Sequence, residues 1–353
     1  MRRSGPKEPD QQSWALRRAA VTGVGVVSPN GGKRFTAGRG DRMARARSVI
    51  VDYAVYLAVR ALICVVQAIP PGLARALAIK LAALGYRLDR RHREVARDNL
   101  RHAFPGRWRE AELDQMVQAT FRHFCIMLLE IVLLPRKLHT GNLNRYLRLV
   151  EPEQRDNLQR LVHTGRPVLF VSAHLGNWEI GSYCFGLVGY ASYAIARPID
   201  NPFLDGLLRR IRQKTGQQLL GKSGSLEQIS EILRKGGRLA LLADQDAGPR
   251  GLFVNFLGRP ASTHKAVALL ALHHQAPLVV LGTRKFGEPM RYEIIVQDVI
   301  LPEPYQNRPD AVRAISERFS AGLERMIGSA PEQYFWLHRR WKSQPAKQRR
   351  LAA

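Results

Sequence analysis

Cysteine is scarce in this chain, and so are the spacings in which cysteine and histidine bind metals. Only Cys64, Cys125 and Cys184 occur among the 353 residues, all in apolar surroundings and without paired spacing. This excludes a disulfide framework and indicates buried thiols in a reducing compartment. The sequence has no His-Glu-x-x-His motif, no Cys–His ligand set and no clustered carboxylates, so we expect neither a metal nor another cofactor.

Several motifs of common enzyme and binding classes are also absent. No Gly-x-Ser-x-Gly elbow is present, which argues against a serine hydrolase. Gly23-Val24-Gly25 lacks the third glycine and the following helix of a dinucleotide-binding fingerprint. No zinc-finger spacing, RNP-like aromatic motif or homeodomain-like pattern occurs, so we do not expect nucleic acid as a partner.

Acidic residues are few relative to basic ones. The sequence has 29 Asp and Glu against 55 Lys and Arg, a formal net charge of +26. Such an excess attracts polyanions, which include nucleic acid, anionic lipid and acidic proteins. Together with an apolar segment near the N-terminus, it favours the surface of an anionic membrane.

The two ends of the chain carry little secondary-structure pattern. Residues 1–42 are rich in Arg, Gly and Ser, and residues 19–31 resemble the opening strand and turn of β-ketoacyl synthases without the Cys-His-His set of that family. We interpret 1–42 as a disordered or overextended leader and Met43 as the start of the functional chain. Residues 346–353 form a short basic tail.

Residues 43–71 are expected to anchor the protein to a membrane. The apolar stretch 49–69, closed by two prolines, would span about 30 Å as a helix, the thickness of a bilayer's hydrocarbon core. Asp52 and Arg60 interrupt it, and a charge at mid-bilayer costs about 2.5–3.5 kcal/mol. A tilted span and an interfacial helix therefore both stay open, and a buried helix of a soluble protein is the alternative.

The remaining chain, residues 72–345, is predicted to be one α/β domain, a mixed sheet flanked by helices. Residues 72–86 form a basic, small-residue helix, and 110–134 form a long helix ended by Pro135. Short apolar runs then alternate with helical patterns. The predicted strands are 168–173, 191–196, 238–243, 278–284 and 291–296.

One motif at a strand end suggests chemistry. His174 directly follows the apolar run 168–173, and Glu179 comes five residues later, on the first turn of the next element. Open α/β sheets bind their ligands at this edge. A neutral imidazole there could take a proton from a hydroxyl while a carboxylate fixes its tautomer. We expect the helix N-terminus to keep His174 neutral. A packed surface pair is the alternative.

Polar residues follow two further predicted strands. Arg197 and Asn201 lie in an Arg-x3-Asn-Pro stretch after strand 191–196, and an arginine at this position suits a phosphate, a carboxylate or an oxyanion. Asp244, Gln245 and Asp246 follow strand 238–243, and we expect them to line a cleft, because polar groups are costly to bury without partners.

Two downstream segments add candidate binding residues. In the stretch 253–263, Gly258 would permit a tight turn and Thr263 could cap a helix over 264–274, whose free N–H groups suit an anion. Near the C-terminus, Tyr334 and Trp336 precede Arg339 and Arg340, which could meet phosphates or headgroups. A structural loop and surface arginines are the alternatives.

Together these motifs resemble the glycerolipid-type acyltransferases, in particular the branch that acylates lipid A precursors. The resemblance rests on His-Leu-Gly-Asn-Trp-Glu, the Arg-x3-Asn-Pro stretch, a Phe-x2-Phe-x-Gly segment and the final Tyr-x-Trp-x-His-Arg-Arg-x-Lys. It covers roughly residues 46–342. Asn255 departs from it, because the family would have proline there.

The resemblance implies a membrane-associated O-acyltransferase. His174 would deprotonate a hydroxyl of a phosphorylated glycolipid, oriented by Glu179, and the donor would be an acyl–acyl carrier protein or acyl-CoA. The implied substrate-binding residues are Asn177, Trp178, Arg197, Asn201, Asp244, Gln245, Asp246, Gly258, Thr263, Arg339 and Arg340. The implied location is the cytoplasmic side of a bacterial inner membrane.

Three alternatives stay open at this point. The acceptor could instead be a phosphatidylinositol mannoside, a lysophospholipid or an amino-acid lipid, because the same motif serves all of them. The donor could be either thioester. The third alternative is a basic membrane-binding protein that catalyses no reaction. Its membrane binding would be intact in a His174→Ala variant.

Overall fold

The computed structural model describes residues 48–149, 152–190, 192–195, 198–221, 225–287 and 289–345. The predicted leader at 1–42, Arg197 and the basic tail at 346–353 lie outside the described residues.

Helices and strands alternate through most of the described chain. The α-helices are α1 (Val49–Ala68), α2 (Pro71–Leu88), α3 (Arg90–Ala103), α4 (Glu110–Lys137), α5 (Leu143–Tyr146), α6 (Pro152–His163), α7 (Trp178–Leu187), α8 (Pro202–Gln213), α9 (Ser225–Arg234), α10 (Ala266–His274) and α11 (Ala311–Ser329). The strands are β1 (Leu147–Leu149), β2 (Val168–Ser172), β3 (Tyr193–Ile195), β4 (Gln218–Leu220), β5 (Arg238–Leu242), β6 (Leu252–Phe256), β7 (Arg259–Thr263), β8 (Leu278–Lys285) and β9 (Tyr292–Ile300).

A mixed sheet flanked by helices confirms the predicted fold class. Its strand order is β1-β9-β8-β2-β5-β3-β4, and β8 and β9 pair antiparallel whereas the other pairs are parallel. Val168, Leu169 and Val171 are fully buried, as expected for a central parallel strand covered on both faces. The five predicted strands correspond to β2, β3, β5, β8 and β9.

Short strands and one hairpin were missed. β1 and β4 have three residues each, too few for a periodic signal. The segment that we expected to be a loop is the antiparallel hairpin β6–β7. Leu257 and Gly258 connect its strands with φ values of 50° and 79°, the backbone of a tight two-residue turn.

The predicted end of the long helix is also corrected. α4 continues through Pro135 to Lys137, and the Leu138 N–H closes it on the Leu134 carbonyl at 2.8 Å. A proline near a helix end costs one backbone hydrogen bond without stopping the chain from completing its last turn.

The N-terminal helices reverse the usual placement of large and small side chains. α2 turns Ala74, Ala78 and Ala82 inward, whereas α1 has Asp52 as its buried residue. The outer face of α2 carries a row of exposed leucines, which we call the leucine ridge: Leu73, Leu77, Leu81, Leu84 and Leu88. Within the described residues, α1 and α4 are long and apolar enough to cross a membrane, and the apolar windows are 6% buried in α1 and 44% buried in α4.

Candidate active site

The register of two parallel strands brings His174 and Asp244 together. Ser172 at the end of β2 is aligned with Leu242 at the end of β5. Each strand is followed two residues later by a polar side chain, His174 in one case and Asp244 in the other. The carboxyl ends of both strands lie at the same edge of the sheet, which is where such folds place their chemistry.

Asp244 holds His174 through two contacts. The His174 backbone N–H donates to Oδ2 of Asp244 at 3.0 Å, and Nδ1 of His174 lies 2.8 Å from Oδ1. The Asp244 side chain is fully buried, whereas 15% of the His174 side chain is exposed. A carboxylate only accepts, so Nδ1 carries the proton and Nε2 is the basic nitrogen. The arrangement is that of a general base and its orienter.

The charges of this pair are coupled. Burial opposes protonation of the His174 ring, but the attraction of Asp244 and its hydrogen bond outweigh burial and raise the pKa of His174 above 6.5. Although burial alone would raise it, the His174 ring holds the pKa of the Asp244 carboxyl well below its usual range. This direction is opposite to the one expected from a helix N-terminus, because the attraction and the hydrogen bond of Asp244 favour the imidazolium.

Glu179, the expected orienter, is bonded elsewhere. Its carboxylate accepts from Nε of Arg212 at 2.8 Å and also pairs with the Nη2 group of that residue. The side chains of Glu179 and Arg212 are 14% and 20% exposed. Glu179 is the second residue of α7, and its carboxylate pairs with Arg212 of α8. It still contributes a smaller attraction that raises the pKa of His174.

Aromatic side chains surround the free side of His174. The Trp178 ring lies 4.9 Å from the His174 ring, edge to face. Phe335 and His338 of the C-terminal segment lie 6.3 and 6.4 Å from it. The His338 ring stacks on Phe335 and places Nδ1 2.6 Å from the Phe335 carbonyl, and burial lowers the pKa of His338. His338 thus lines the site beside the His174 ring.

The backbone after His174 is tightly constrained. Gly176 has a φ of +60°, and a Cβ there would lie 1.6 Å from the Thr283 carbonyl oxygen. Its N–H donates to the Gln333 carbonyl at 2.9 Å. Asn177, an expected substrate contact, is fully buried and caps α7 by accepting the Ile180 N–H at 3.1 Å. Its polar atoms are therefore used inside the protein.

Asn201 and Asp246 are engaged in the same way. Asn201 caps α8 and donates from Nδ2 to the Asp52 carbonyl at 2.8 Å, which ties α1 to the domain. Asp246 accepts from the backbone N–H of Gly248 and from both the N–H and the hydroxyl of Ser343, at 3.0 to 3.2 Å. Both side chains therefore make structural hydrogen bonds, and a substrate contact at either residue stays a prediction.

The predicted helix cap at Thr263 is wrong. Thr263 ends β7, and α10 begins three residues later at Ala266 with no side-chain cap. Thr263 is fully buried and accepts from Nη2 of Arg340 at 2.8 Å, while Nη1 of Arg340 donates to the Ser262 carbonyl at 2.6 Å. Arg340 itself is 1% exposed, so it anchors the C-terminal segment to the hairpin.

Two other expected contacts are open to solvent. Gln245 is exposed, and its Nε2 lies 3.4 Å from Nε2 of His174, so it borders the basic nitrogen. Arg339 is exposed beside the buried Arg340. Gly258 lies in the hairpin turn, away from any neighbouring heavy atom. Arg197 is outside the described residues and stays a prediction.

A small depression with aliphatic and polar lining opens beside the Glu179–Arg212 pair. Its lining comes from α4, α7, α8 and the segment leading to β4: Ile131, Pro135, Glu179, Ile180, Tyr183, Ile211, Arg212 and Gln217. Within the part of the chain that the structure describes, no group of three or more His, Cys, Asp or Glu side chains could hold a metal ion. Burial raises the pKa of the Cys184 thiol to about 12, which suits a core cysteine and not a nucleophile.

Sequence reasoning missed the partnership of His174 with Asp244 and the role of Arg212. A signal for the first was present, because His174 and Asp244 each directly follow one of the predicted strands 168–173 and 238–243. Arg212 lies on an amphipathic helix without a distinguishing pattern, so no signal marked it.

Comparison with known proteins identifies the family of this chain. Residues 43–343 match the sequence model of the family described as bacterial lipid A biosynthesis acyltransferase. The lipid A biosynthesis palmitoleoyltransferase of Escherichia coli (strain K12) is 28% identical over 277 residues, covering 76% of this chain and 85% of that protein. The lauroyltransferase of the same strain is 28% identical over 272 residues, covering 75% and 84%, and the myristoyltransferase is 26% identical over 274 residues, covering 76% and 80%. The chain therefore belongs to the bacterial lipid A biosynthesis acyltransferase family, and it is an acyltransferase.

Proposed function

We propose that this protein transfers a fatty acyl chain from an acyl thioester to a hydroxyl group of a lipid A precursor, with His174 as general base. The observation that carries the proposal is the His174–Asp244 pair, whose basic Nε2 borders the open side of the sheet edge in a chain of this family. General-base assistance contributes about 10²- to 10⁴-fold in rate.

The proton path follows from the tautomer. Nε2 of His174 removes the proton of the acceptor hydroxyl as its oxygen attacks the thioester carbonyl. Asp244 stabilises the imidazolium, and the proton then passes to the leaving sulfur as the carbon–sulfur bond breaks. The products are an ester and a free thiol. Because the thioester is already activated, no covalent enzyme intermediate is needed.

The proposed partners follow from charge. A net charge of +26 favours an anionic donor such as an acyl–acyl carrier protein or acyl-CoA, and an acceptor that carries phosphates. We assign the exposed Arg339 and the predicted Arg197 to contacts with these anionic groups. The curated relatives, named for palmitoleoyl, lauroyl and myristoyl transfer, support the acceptor class and differ in chain length.

A direct assay tests the activity. Purified full-length protein would be incubated with a lipid A precursor and either acyl-carrier-protein or CoA thioesters, and the lipid product weighed by mass spectrometry. We expect a mass increase of one acyl chain, and its loss in His174→Ala. Unchanged transfer by His174→Ala would refute the mechanism, and acylation of a mannoside, lysophospholipid or amino-acid lipid in its place would change the acceptor.

We also propose that α1 and the leucine ridge of α2 rest in the lipid of a bacterial inner membrane, with the α/β domain on the cytoplasmic side. Small residues pack inward and large apolar ones face outward, the pattern of helices whose surroundings are apolar. Large apolar side chains are exposed on both helices, and soluble monomers rarely expose large contiguous apolar patches. Arg75 and Lys80 on α2 can reach anionic headgroups.

A site-specific fluorophore tests this location. An environment-sensitive dye on Leu81→Cys, in a Cys64→Ser background, should shift to shorter wavelength when vesicles with anionic lipid are added. The same dye on Leu226→Cys is the control, because Leu226 is also exposed but lies on α9. Equal responses at the two positions would contradict a lipid-facing ridge.

A further inference from the structure

The long helix α4 is connected by hydrogen bonds to the loop that carries His174. His123 and Glu130 lie seven residues apart on this helix, two turns, and therefore on one face. Neither belongs to the His174–Asp244 pair, and neither touches the open side of the site.

His123 makes the first of these connections directly. Its Nε2 donates to the Gly176 carbonyl oxygen at 3.0 Å. The opposite side of the same peptide region is held by the Gly176 N–H, which donates to the Gln333 carbonyl. Because Gly176 lies two residues after His174, any shift of its backbone moves the His174 ring relative to Asp244.

Glu130 makes the second connection, through a buried chain of hydrogen bonds. Its carboxylate, 3% exposed as a residue, accepts from Nζ of Lys285 and from the Tyr292 hydroxyl. The Tyr292 oxygen in turn accepts from Nδ2 of Asn177 at 3.3 Å. The oxygen of the same amide, Oδ1, accepts the Ile180 N–H and so caps α7. Tyr292 can serve both neighbours only while its own proton is directed to Glu130.

Burial of these groups is costly unless it serves a precise geometry. A carboxylate and an ammonium lose favourable hydration on burial, and their pairing often no more than offsets this loss. An apolar cluster would pack the same space. Positioned hydrogen bonds, in contrast, hold a base to within a fraction of an ångström, and a misplacement of about 1 Å can lower a rate on the order of 100-fold.

We propose that His123 and Glu130 are positioning residues for His174: His123 through the Gly176 carbonyl, and Glu130 through Tyr292 and Asn177. The proposal rests on the proposed role of His174 as general base. It assigns to α4 the task of keeping the loop at 174–177 in the one conformation in which Nδ1 of His174 faces Asp244.

Single-atom and isosteric variants of the full-length protein test the proposal. Tyr292→Phe removes only the hydroxyl, and His123→Leu removes the donor to Gly176. Each should lower kcat on the order of 10- to 100-fold with KM unchanged. His123→Gln should restore much of the loss, since its amide can donate to the same carbonyl. The acidic limb of the pH–rate profile should move to lower pH, because a displaced His174 loses part of the attraction of Asp244.

Thr120→Val is the matched control. Thr120 is 1% exposed on the same helix, but its hydroxyl bonds only to the Met116 carbonyl within α4. If Tyr292→Phe and His123→Leu behaved like Thr120→Val, or lost activity only in proportion to thermal stability with an unmoved pH profile, the positioning role would be refuted. Should His123→Leu fail to fold, Tyr292→Phe decides alone. Activity of His174→Ala, in contrast, would refute the general base itself.

Discussion

Two carboxylates near His174 show how differently a strand end and a helix turn present their side chains. Asp244 is seventy residues away in sequence and is bonded to His174 through both of its oxygens. Glu179 is five residues away and is bonded to Arg212. The aligned ends of β2 and β5 place Asp244 beside His174, whereas the first turn of α7 places Glu179 beside Arg212. Proximity along the chain is therefore a poor guide to which carboxylate orients a base.

The largest expected effect is that of Asp244→Asn. The amide keeps the shape of the side chain but has one acceptor oxygen for the two His174 N–H groups and no charge to stabilise an imidazolium, so kcat should fall by about 10²- to 10⁴-fold. Steady-state acyl transfer, with melting temperature as the check on folding, measures this. A loss smaller than that of Glu179→Gln would reverse the assignment of the two carboxylates.

Gly176→Ala should act mainly on stability. The new Cβ would meet the Thr283 carbonyl at 1.6 Å in a backbone conformation that L-residues rarely adopt, so we expect a loss of about 3 kcal/mol or more in the free energy of unfolding. Gly258→Ala is the control, because Gly258 has a φ of +79° but no heavy atom nearby. Its loss should be about 1 kcal/mol. Equal losses in denaturant titrations would show that the close approach to β8 is unimportant.

Glu179 and Arg212 should behave as one unit. We expect Glu179→Gln and Arg212→Gln each to lower kcat/KM about 10-fold. The double variant should be no less active than the less active of the two single variants. A double-mutant cycle measures this coupling. Additive losses would mean that the two residues contribute separately, and a coupling between Glu179 and Asp244 would mean that the two regions are less distinct than their bonds indicate.

The smallest effect is a shift in pH dependence. Transfer needs neutral His174, whose pKa is raised above 6.5, so kcat/KM should rise with pH and reach half of its maximum above that value. In Asp244→Asn the attraction is lost while burial still disfavours the charge, so the half-point should move to lower pH. Glu179→Gln should move it in the same direction by less, because Glu179 acts only through its charge. A larger shift for Glu179→Gln would contradict this ranking.

Much of the fold could be predicted from the sequence. The central strands are apolar runs of five or more residues, and the helices show clear periodicity, so both gave local signals. The hairpin β6–β7 did not, because Arg259 and Pro260 interrupt the alternation and its turn contains Leu257 in place of a typical turn residue.

The site was predictable only in part, for a physical reason. His174 could be identified because the apolar run 168–173 directly before it is a local signal. The partner of His174 depends on which strands are neighbours in the sheet, and the sequence does not give the strand order. The exposure of the C-terminal arginines could not be predicted either. Arg339 and Arg340 are adjacent and chemically alike, yet one is exposed and the other is almost fully buried under Phe256, whose ring lies 4.8 Å from its guanidinium.

The alignment of Ser172 with Leu242 also limits how this sequence can change. One inserted residue within β2 or β5 would turn every following side chain to the opposite face of the sheet and separate His174 from Asp244. The loop before β2, around Gly165, lies outside the paired residues of β2 and β5, so an insertion there does not change their alignment. Insertions and deletions among functional variants of this enzyme should therefore accumulate at the amino ends of the strands and be missing from the few residues that lead into the dyad.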